Sequence, residues 1–382
     1  MVNTQELIQF IQMAVQTKSY SNEEEAIANI LISEMKKLNY DEAFIDSTGN
    51  VIGKIGSGPM IVQFDSHMDT VQIHDPEEWE FPPFSGKIVD GYLWGRGSVD
   101  MKSALCTSIY AVALARDNGF LEGKTIYVTG TVCEEYCDGE NLKHLYKELF
   151  LKPDYCIICE PSNNIITLGH KGKAQIRITS HGVSAHGSAP EKGVNAVYEM
   201  AEIISRVEAL NKSLYKKDTP HGTIVLSDIS CASASLNAVP SECSIYLDRR
   251  LALGETLEGV KNEMKSLIKK KNASWEVGTL HQTTWTGTKL SYEHMHDPWK
   301  IDKDHSLTKA MIKAYHNVYD HSPDRFDFWD FSTNAITPVS MGIPCIGFGP
   351  GEYKLAHMKN ERCLIKQIEE AFQVYCQLIN EL

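Results

Sequence analysis

The stretch Met60–His67, MIVQFDSH, is a short apolar strand-like run that closes on a histidine, and its reading decides the fold. Two further runs end in a similar way. Thr125–Cys133, TIYVTGTVC, leads into Glu134 and Glu135, and Tyr155–Cys159, YCIIC, leads into Glu160. In an open parallel α/β sheet the carboxyl ends of the strands share one rim, so residues far apart in sequence converge there on a single crevice. Metal-ligating residue types at three successive strand ends place the chemistry on that rim.

Outward from these strands, helix and strand patterns alternate. Ser21 with Glu24 matches a capping box opening an amphipathic helix, with Ile27, Ile30, Leu31 and Met35 on one face. Strands are predicted at Val51–Ile55, Met60–Phe64, Thr125–Val132 and Tyr155–Cys159, and helices at about Lys102–Asn118 and Leu142–Leu149. Such alternation implies a mostly parallel sheet covered on both faces. From about Ala174 the order becomes strand, helix, strand, strand, helix, strand, which predicts an α+β layer with an antiparallel sheet. Alternation resumes near Ser306, with an apolar strand at Pro344–Phe348 and a closing helix from about Arg362. The expected fold class is α/β: a mostly parallel-sheet domain over 1–175 and 297–382, with an α+β domain inserted over 176–296.

The 382 residues exceed the roughly 250–300 at which single cores stop growing, which agrees with two domains. The formal net charge of −13 argues against nucleic acid or an anionic membrane as a partner, since either needs a basic patch. The densest basic run, KSLIKKKN at 265–272, reads as the solvated end of a helix. MVNTQELIQFIQMAVQ lacks a signal peptide's charged start and unbroken apolar stretch, and no segment approaches the roughly 20 apolar residues of a membrane span, so a cytoplasmic location is expected. Of the ten cysteines, Cys133, Cys137, Cys156 and Cys159 fall near the rim. Reduced, buried thiols are the expectation, because Cys156 and Cys159 would face opposite sides of a strand and could not grip one ion.

In FDSHMDTV, His67 and Asp69 are two apart and point the same way on an extended backbone, so the carboxylate can hold the imidazole's second nitrogen. GRGSVDMKSAL puts Asp100 at a helix start, where it reads either as an N-cap or as a carboxylate bridging two ions. CEEYCDGE supplies Glu134 and Glu135, of which one can ligate metal and the other remain free as a base. CEPS adds Glu160, and GEYKLAHMKNE adds His357. Each motif alone is weak. Together, two histidines and three carboxylates suit two close zinc-like ions, each needing about three protein ligands and an open position.

Through SHMDTV, GRGSVDMKS, the Glu134-Glu135 pair, ICEPS, GVSAHGSAPEKGVNA, SLNAVP followed by LDRR, and GFGPGEYKLAHMKNE, nearly the whole chain resembles one family. These are the co-catalytic zinc peptidases and deacylases that include acetylornithine deacetylase, succinyl-diaminopimelate desuccinylase and the glutamate carboxypeptidases. Within them it most resembles the YgeY-type hydrolases. The resemblance implies that His67 and Glu160 hold one ion, Glu135 and His357 the other, and that Asp100 bridges them. It implies that Asp69 orients His67, that Glu134 is the general base, and that the inserted domain is a lid mediating a homodimer. In that lid His186 would stabilise the oxyanion, often across the dimer, while Asn237 and Arg250 would bind the substrate's backbone and carboxylate.

The implied activity is hydrolysis of an amide, N-acyl or peptide, of a small amino-acid-derived substrate by water bridged between two divalent ions. Zinc is the first expectation and cobalt or manganese the others. The alternative is a di- or carboxypeptidase acting on short peptides. Three positions depart from the pattern: Ser103 and Cys137 stand where Gly is frequent, and Asn334 where many relatives carry Asp beside the substrate pocket. The segment 279–299, TLHQTTWTGTKLSYEHMHDPW, reads as lid packing. A non-catalytic binding protein should lack a ligand or the base. A binuclear phosphoesterase should aim extra cations at the ligands, and only Arg96 and Lys102 qualify.

Overall fold

The structure is a computed structural model that describes residues 3–216 and 219–382. Two compact units divide the chain. The first comprises Met1–Gly169, His281–Ser291 and Lys300–Leu382, and the second His170–Leu280 and Tyr292–Trp299.

A nine-stranded mixed sheet organises the first unit. Its centre is parallel: Lys124–Thr131, Met60–His67, Tyr155–Ile158 and Cys345–Gly347 lie side by side in that order. Antiparallel strands Val51–Gly56 and Glu42–Ile45 extend one side. The register brings the predicted residues to one rim, because His67 pairs with Thr131 and Asp65 with Ile158, so Glu134 and Glu160 follow just beyond the same edge. The central strands are buried over most of their length, as continuous apolar runs between covering layers should be.

Helix Lys102–Asp117, built of small and apolar residues, is buried on nearly every side. It packs on Met60–His67 and on the C-terminal helix Ile365–Glu381. Tyr375 of that last helix sits edge-on between Phe64 and Phe348, with ring centroids 5.4 and 5.9 Å away, and donates its hydroxyl to the Phe348 carbonyl. Two strand ends below the rim are thereby pinned by a satisfied aromatic contact.

Two local expectations change. The helix after Ser21 begins at Glu25, and Glu24, at its N-cap, makes no side-chain cap bond. Ser21 Oγ donates instead to Asp69 Oδ2 (2.6 Å), and Glu24 Oε1 accepts from the Cys133 amide (3.0 Å). The hairpin His281–Ser291, expected in the insert, belongs to the first unit. Trp285 Nε1 donates to the Gly49 carbonyl at 3.3 Å, and the Thr286 and Thr288 hydroxyls each donate to the Ser47 carbonyl at 2.8 Å. Gly49, at φ +103°, leaves the space the indole fills: a Cβ there would lie 2.4 Å from Trp285 Nε1.

The second unit is the α+β layer that the strand order predicts. Thr223–Ala232, Glu242–Leu251, Gly172–His181 and Ala273–Val277 form an antiparallel sheet in that order. Alternate residues Ile176, Ile178, Ile245 and Leu247 meet Met200, Ile203 and Met264 of helices Ala196–Leu214 and Leu257–Leu267 in one core. Both helices are capped by side chains that accept backbone amides, Asn195 from Val197 and Thr256 from Gly259.

Candidate metal centre

His67 ends its strand buried, with Nδ1 2.9 Å from the Asp69 carbonyl oxygen and 3.5 Å from Asp69 Oδ1. Both neighbours are oxygen acceptors, so Nδ1 carries the hydrogen and Nε2 turns towards Asp100 and Glu160. The Asp69 carboxylate does more than the spacing suggested. Besides Ser21, it accepts the backbone amides of Glu134 (3.1 Å, on Oδ1) and Glu135 (3.3 Å, on Oδ2), capping the one-turn helix Glu134–Cys137.

Asp100 is not an N-cap. Met101 occupies that position without a side-chain cap bond, and the Asp100–Met101 peptide is cis. Asp100 instead aims one oxygen at each imidazole: Oδ1 lies 2.9 Å from His67 Nε2, and Oδ2 lies 3.2 Å from His357 Nε2. His357 Nε2 is also 2.9 Å from Glu135 Oε2, and Glu160 Oε1 is 3.8 Å from His67 Nε2. The ligand atoms of His67, Asp100 and Glu135 lie within 4.8 Å of one another, as do those of His67, Glu134 and Glu160.

The electrostatics are those of crowded carboxylates. Burial, followed by the charges of Glu160, Asp138 and Glu135, pushes Glu134 well above the usual carboxylate range, with His67 opposing. Burial and the charges of Asp100 and Glu135 push Glu160 up likewise, and burial and Asp100 push Glu135 up. Burial also acts upward on Asp100, but the hydrogen bonds from His357 and His67 outweigh it and hold Asp100 well below that range. Glu134 Oε1 and Glu135 Oε1 are buried without a hydrogen-bond partner. Orphaned carboxylate oxygens in a like-charged pocket are what divalent cations satisfy, so the residues present fit a metal pair.

The thiols do not join this set. Cys133, Cys137, Cys156 and Cys159 are buried and free, and burial pushes Cys137 and Cys159 up to about 12. Among the described residues, neither ligand cluster includes a cysteine. The two nearby cations are also committed elsewhere. Arg96 pairs with Glu361, while Lys102 Nζ donates to the carbonyls of Ala14 (3.1 Å) and Thr17 (2.6 Å).

Asn334 is buried. Its amide donates to Asp65 Oδ2 (2.8 Å) and Thr131 Oγ1 (2.9 Å), and burial pushes Asp65 to about 7. Asp65 was legible as a residue two before His67 and thus on its face of the strand. Ser21 and Glu361, buried against Val99 and Asp100, carried no such signal.

In the second unit, His186 and Asn237 come together. His186 bridges to Ala238, and the Gly187 amide donates to the Asn237 carbonyl at 2.6 Å. The Ser188 amide donates to His186 Nδ1 at 3.1 Å, which leaves Nε2 as the N–H donor. Arg250 is engaged in a fork with its strand neighbour, Nε and Nη2 donating to the two oxygens of Asp248 at 2.7 and 3.0 Å.

The rim of the α/β sheet gathers one imidazole and four carboxylates into two clusters that share His67, with the His357 ring against Asp100 and Glu135, a donor set suited to a metal-dependent enzyme. The chain belongs to peptidase family M20/M25/M40, which it matches over residues 64–381. It is 36% identical over 361 residues to the YgeY protein of Escherichia coli (strain K12), covering 94% of this chain and 89% of that one. It is 25% identical over 396 residues to a probable succinyl-diaminopimelate desuccinylase of Staphylococcus epidermidis (strain ATCC 12228), covering 94% and 93%. Its fold matches that of Sso-CP2, an M20 family metallo-carboxypeptidase from Sulfolobus solfataricus, with a TM-score of 0.77 at 20% identity over 98% of each chain.

Proposed function

We propose that the protein hydrolyses the amide bond of a small N-acyl amino acid or short peptide, with two divalent ions, zinc first among them, held by His67, Glu160, Glu135 and His357 and bridged by Asp100. The observation that carries this reading is the Asp100 carboxylate, whose two oxygens address two different histidines. When bound, such ions polarise a carbonyl and lower the pKa of water. The chain's own residues supply the rest. Glu134, buried with one unpartnered oxygen, accepts a proton from the attacking water and returns it to the leaving amine. Asp69 holds His67 and the Glu134 turn in one frame. His186 Nε2–H is free to donate to an oxyanion, and Asn237 and Arg250 orient the substrate, Arg250 exchanging Asp248 for a substrate carboxylate.

The prior commitment of Arg96 and Lys102 weighs against a phosphoesterase. A homodimer through the second unit is supported by the edge strand Thr223–Ala232, which leaves Val225 and Ile229 exposed. Among the described residues no helix is long and apolar enough to cross a membrane, and the net charge of −13 supports a small-molecule rather than a nucleic-acid or membrane partner, in the cytoplasm. The test is a panel of N-acyl amino acids and dipeptides, with p-nitrophenyl phosphate beside them, given to the metal-reconstituted protein. Turnover of the phosphate ester alone would overturn the reading, and the best amide would separate deacylase from peptidase.

A further inference from the structure

The Glu361 carboxylate is fully buried and accepts from three donors, one of them the backbone amide of Asp100. Oε1 takes the backbone amides of Val99 (2.8 Å) and Asp100 (3.1 Å), and Oε2 takes Nη1 of Arg96. Arg96, also buried, donates its other terminal nitrogen to the carbonyl oxygen of His357 at 3.2 Å. The Glu361 carbonyl accepts the Gly95 amide at 2.9 Å, which ties the same two segments again.

Resting on the two-ion reading above, we infer that Glu361 is a positioning residue: through Arg96 it sets His357 against Asp100, and so builds the half of the centre made by Glu135 and His357. The two segments it joins lie some 260 positions apart in sequence, 261 for Asp100 to Glu361. His357 itself stands at φ +62°, a left-handed conformation that the surroundings must hold. Arg96 Nη2, donating to its carbonyl oxygen, ties down the His357 backbone, while the ring meets Asp100 and Glu135. His67, by contrast, is anchored at a strand end by Asp69, and its link to Glu361 runs through the shared Asp100 alone.

The chemistry demands a carboxylate at this place. All three partners are donors, and only a group accepting on both oxygens satisfies them. In Glu361→Gln the shape is kept, but an NH2 must face either the guanidinium or the two backbone amides, leaving buried donors opposed. Arg96→Lys keeps the charge against Glu361 and loses the fork that reaches His357.

The two variants and the unsubstituted protein, each reconstituted with zinc, are titrated with a chelator while the metal retained per chain is counted by mass spectrometry. Thermal unfolding of each is followed without activity as a readout. The expected result is that both variants stay folded and release one ion at about 10- to 100-fold lower chelator, as for loss of an outer-shell partner, while the other, linked to Glu361 through Asp100 alone, shifts much less. Retention of both ions as in the unsubstituted protein, or parallel loss of both, overturns the positioning role and leaves the two-ion reading intact. An unsubstituted protein that never holds two ions overturns both. Should Glu361→Gln fail to fold, Arg96→Lys decides by the same criterion.

Discussion

Asp69 Oδ1 and the backbone amide of Glu134 are joined by a 3.1 Å hydrogen bond, while the same oxygen lies 3.5 Å from His67 Nδ1. One carboxylate thus fixes an imidazole ligand and the turn that carries the neighbouring glutamates, so it couples a metal ligand to the proposed base. In Asp69→Asn the volume is kept, but the NH2 must face the backbone N–H of Glu134 or that of Glu135. Activity should fall about 10- to 100-fold. Ser21→Ala removes one hydrogen bond, about 0.5–1.5 kcal/mol, and should cost no more than about tenfold. Steady-state kinetics of both variants checks the order; an Asp69→Asn enzyme as active as Ser21→Ala would refute the coupling.

Glu134 and Glu135 are adjacent yet differ in partner: Glu135 Oε2 meets His357, whereas Glu134 stands nearer His67 and Glu160. Glu134→Gln should abolish nearly all turnover with metal content unchanged. Glu135→Gln should instead weaken one ion. Metal analysis of the two variants side by side is the check, and equal metal loss in both would remove the division of roles.

His186 presents Nε2–H from a polar loop, with Nδ1 held by Ser188. His186→Ala should lower kcat by about 100- to 1000-fold, as for an oxyanion donor, and leave metal content alone. If the histidine serves the partner's site, mixing His186→Ala with Glu134→Gln should restore activity through heterodimers. Subunits that exchange without rescue would rule out action across the dimer.

Arg250 already holds Asp248 in a fork, so a substrate carboxylate must displace a like group. Arg250→Ala should raise KM for substrates with a free α-carboxylate by an amount equivalent to about 1.5–3 kcal/mol, and much less for their amides. An equal rise for acid and amide would make the Asp248 pair structural.

The rim was legible because strand period and strand-end residue type are local signals: His67, Glu134, Glu135 and Glu160 follow apolar runs that pair in register. What local pattern hid was the destination of polar groups. Ser21 and Glu24 match a capping box, yet a carboxylate and an amide from other strand ends compete for them and win. The partner of Asn334, Asp65, is 269 positions away and beyond any local pattern. Trp285 was taken for lid packing because sequence proximity to the insert is no guide to a hairpin that docks on Ser47 and Gly49.

The central claim is that Asp100 bridges two ions, and anomalous X-ray scattering at the zinc edge from zinc-reconstituted crystals tests it most directly. Two peaks about 3.5–4 Å apart, one beside His67 and Glu160 and one beside Glu135 and His357, with the Asp100 carboxylate between them, are predicted. A single peak, or two peaks that do not share Asp100, would contradict the account.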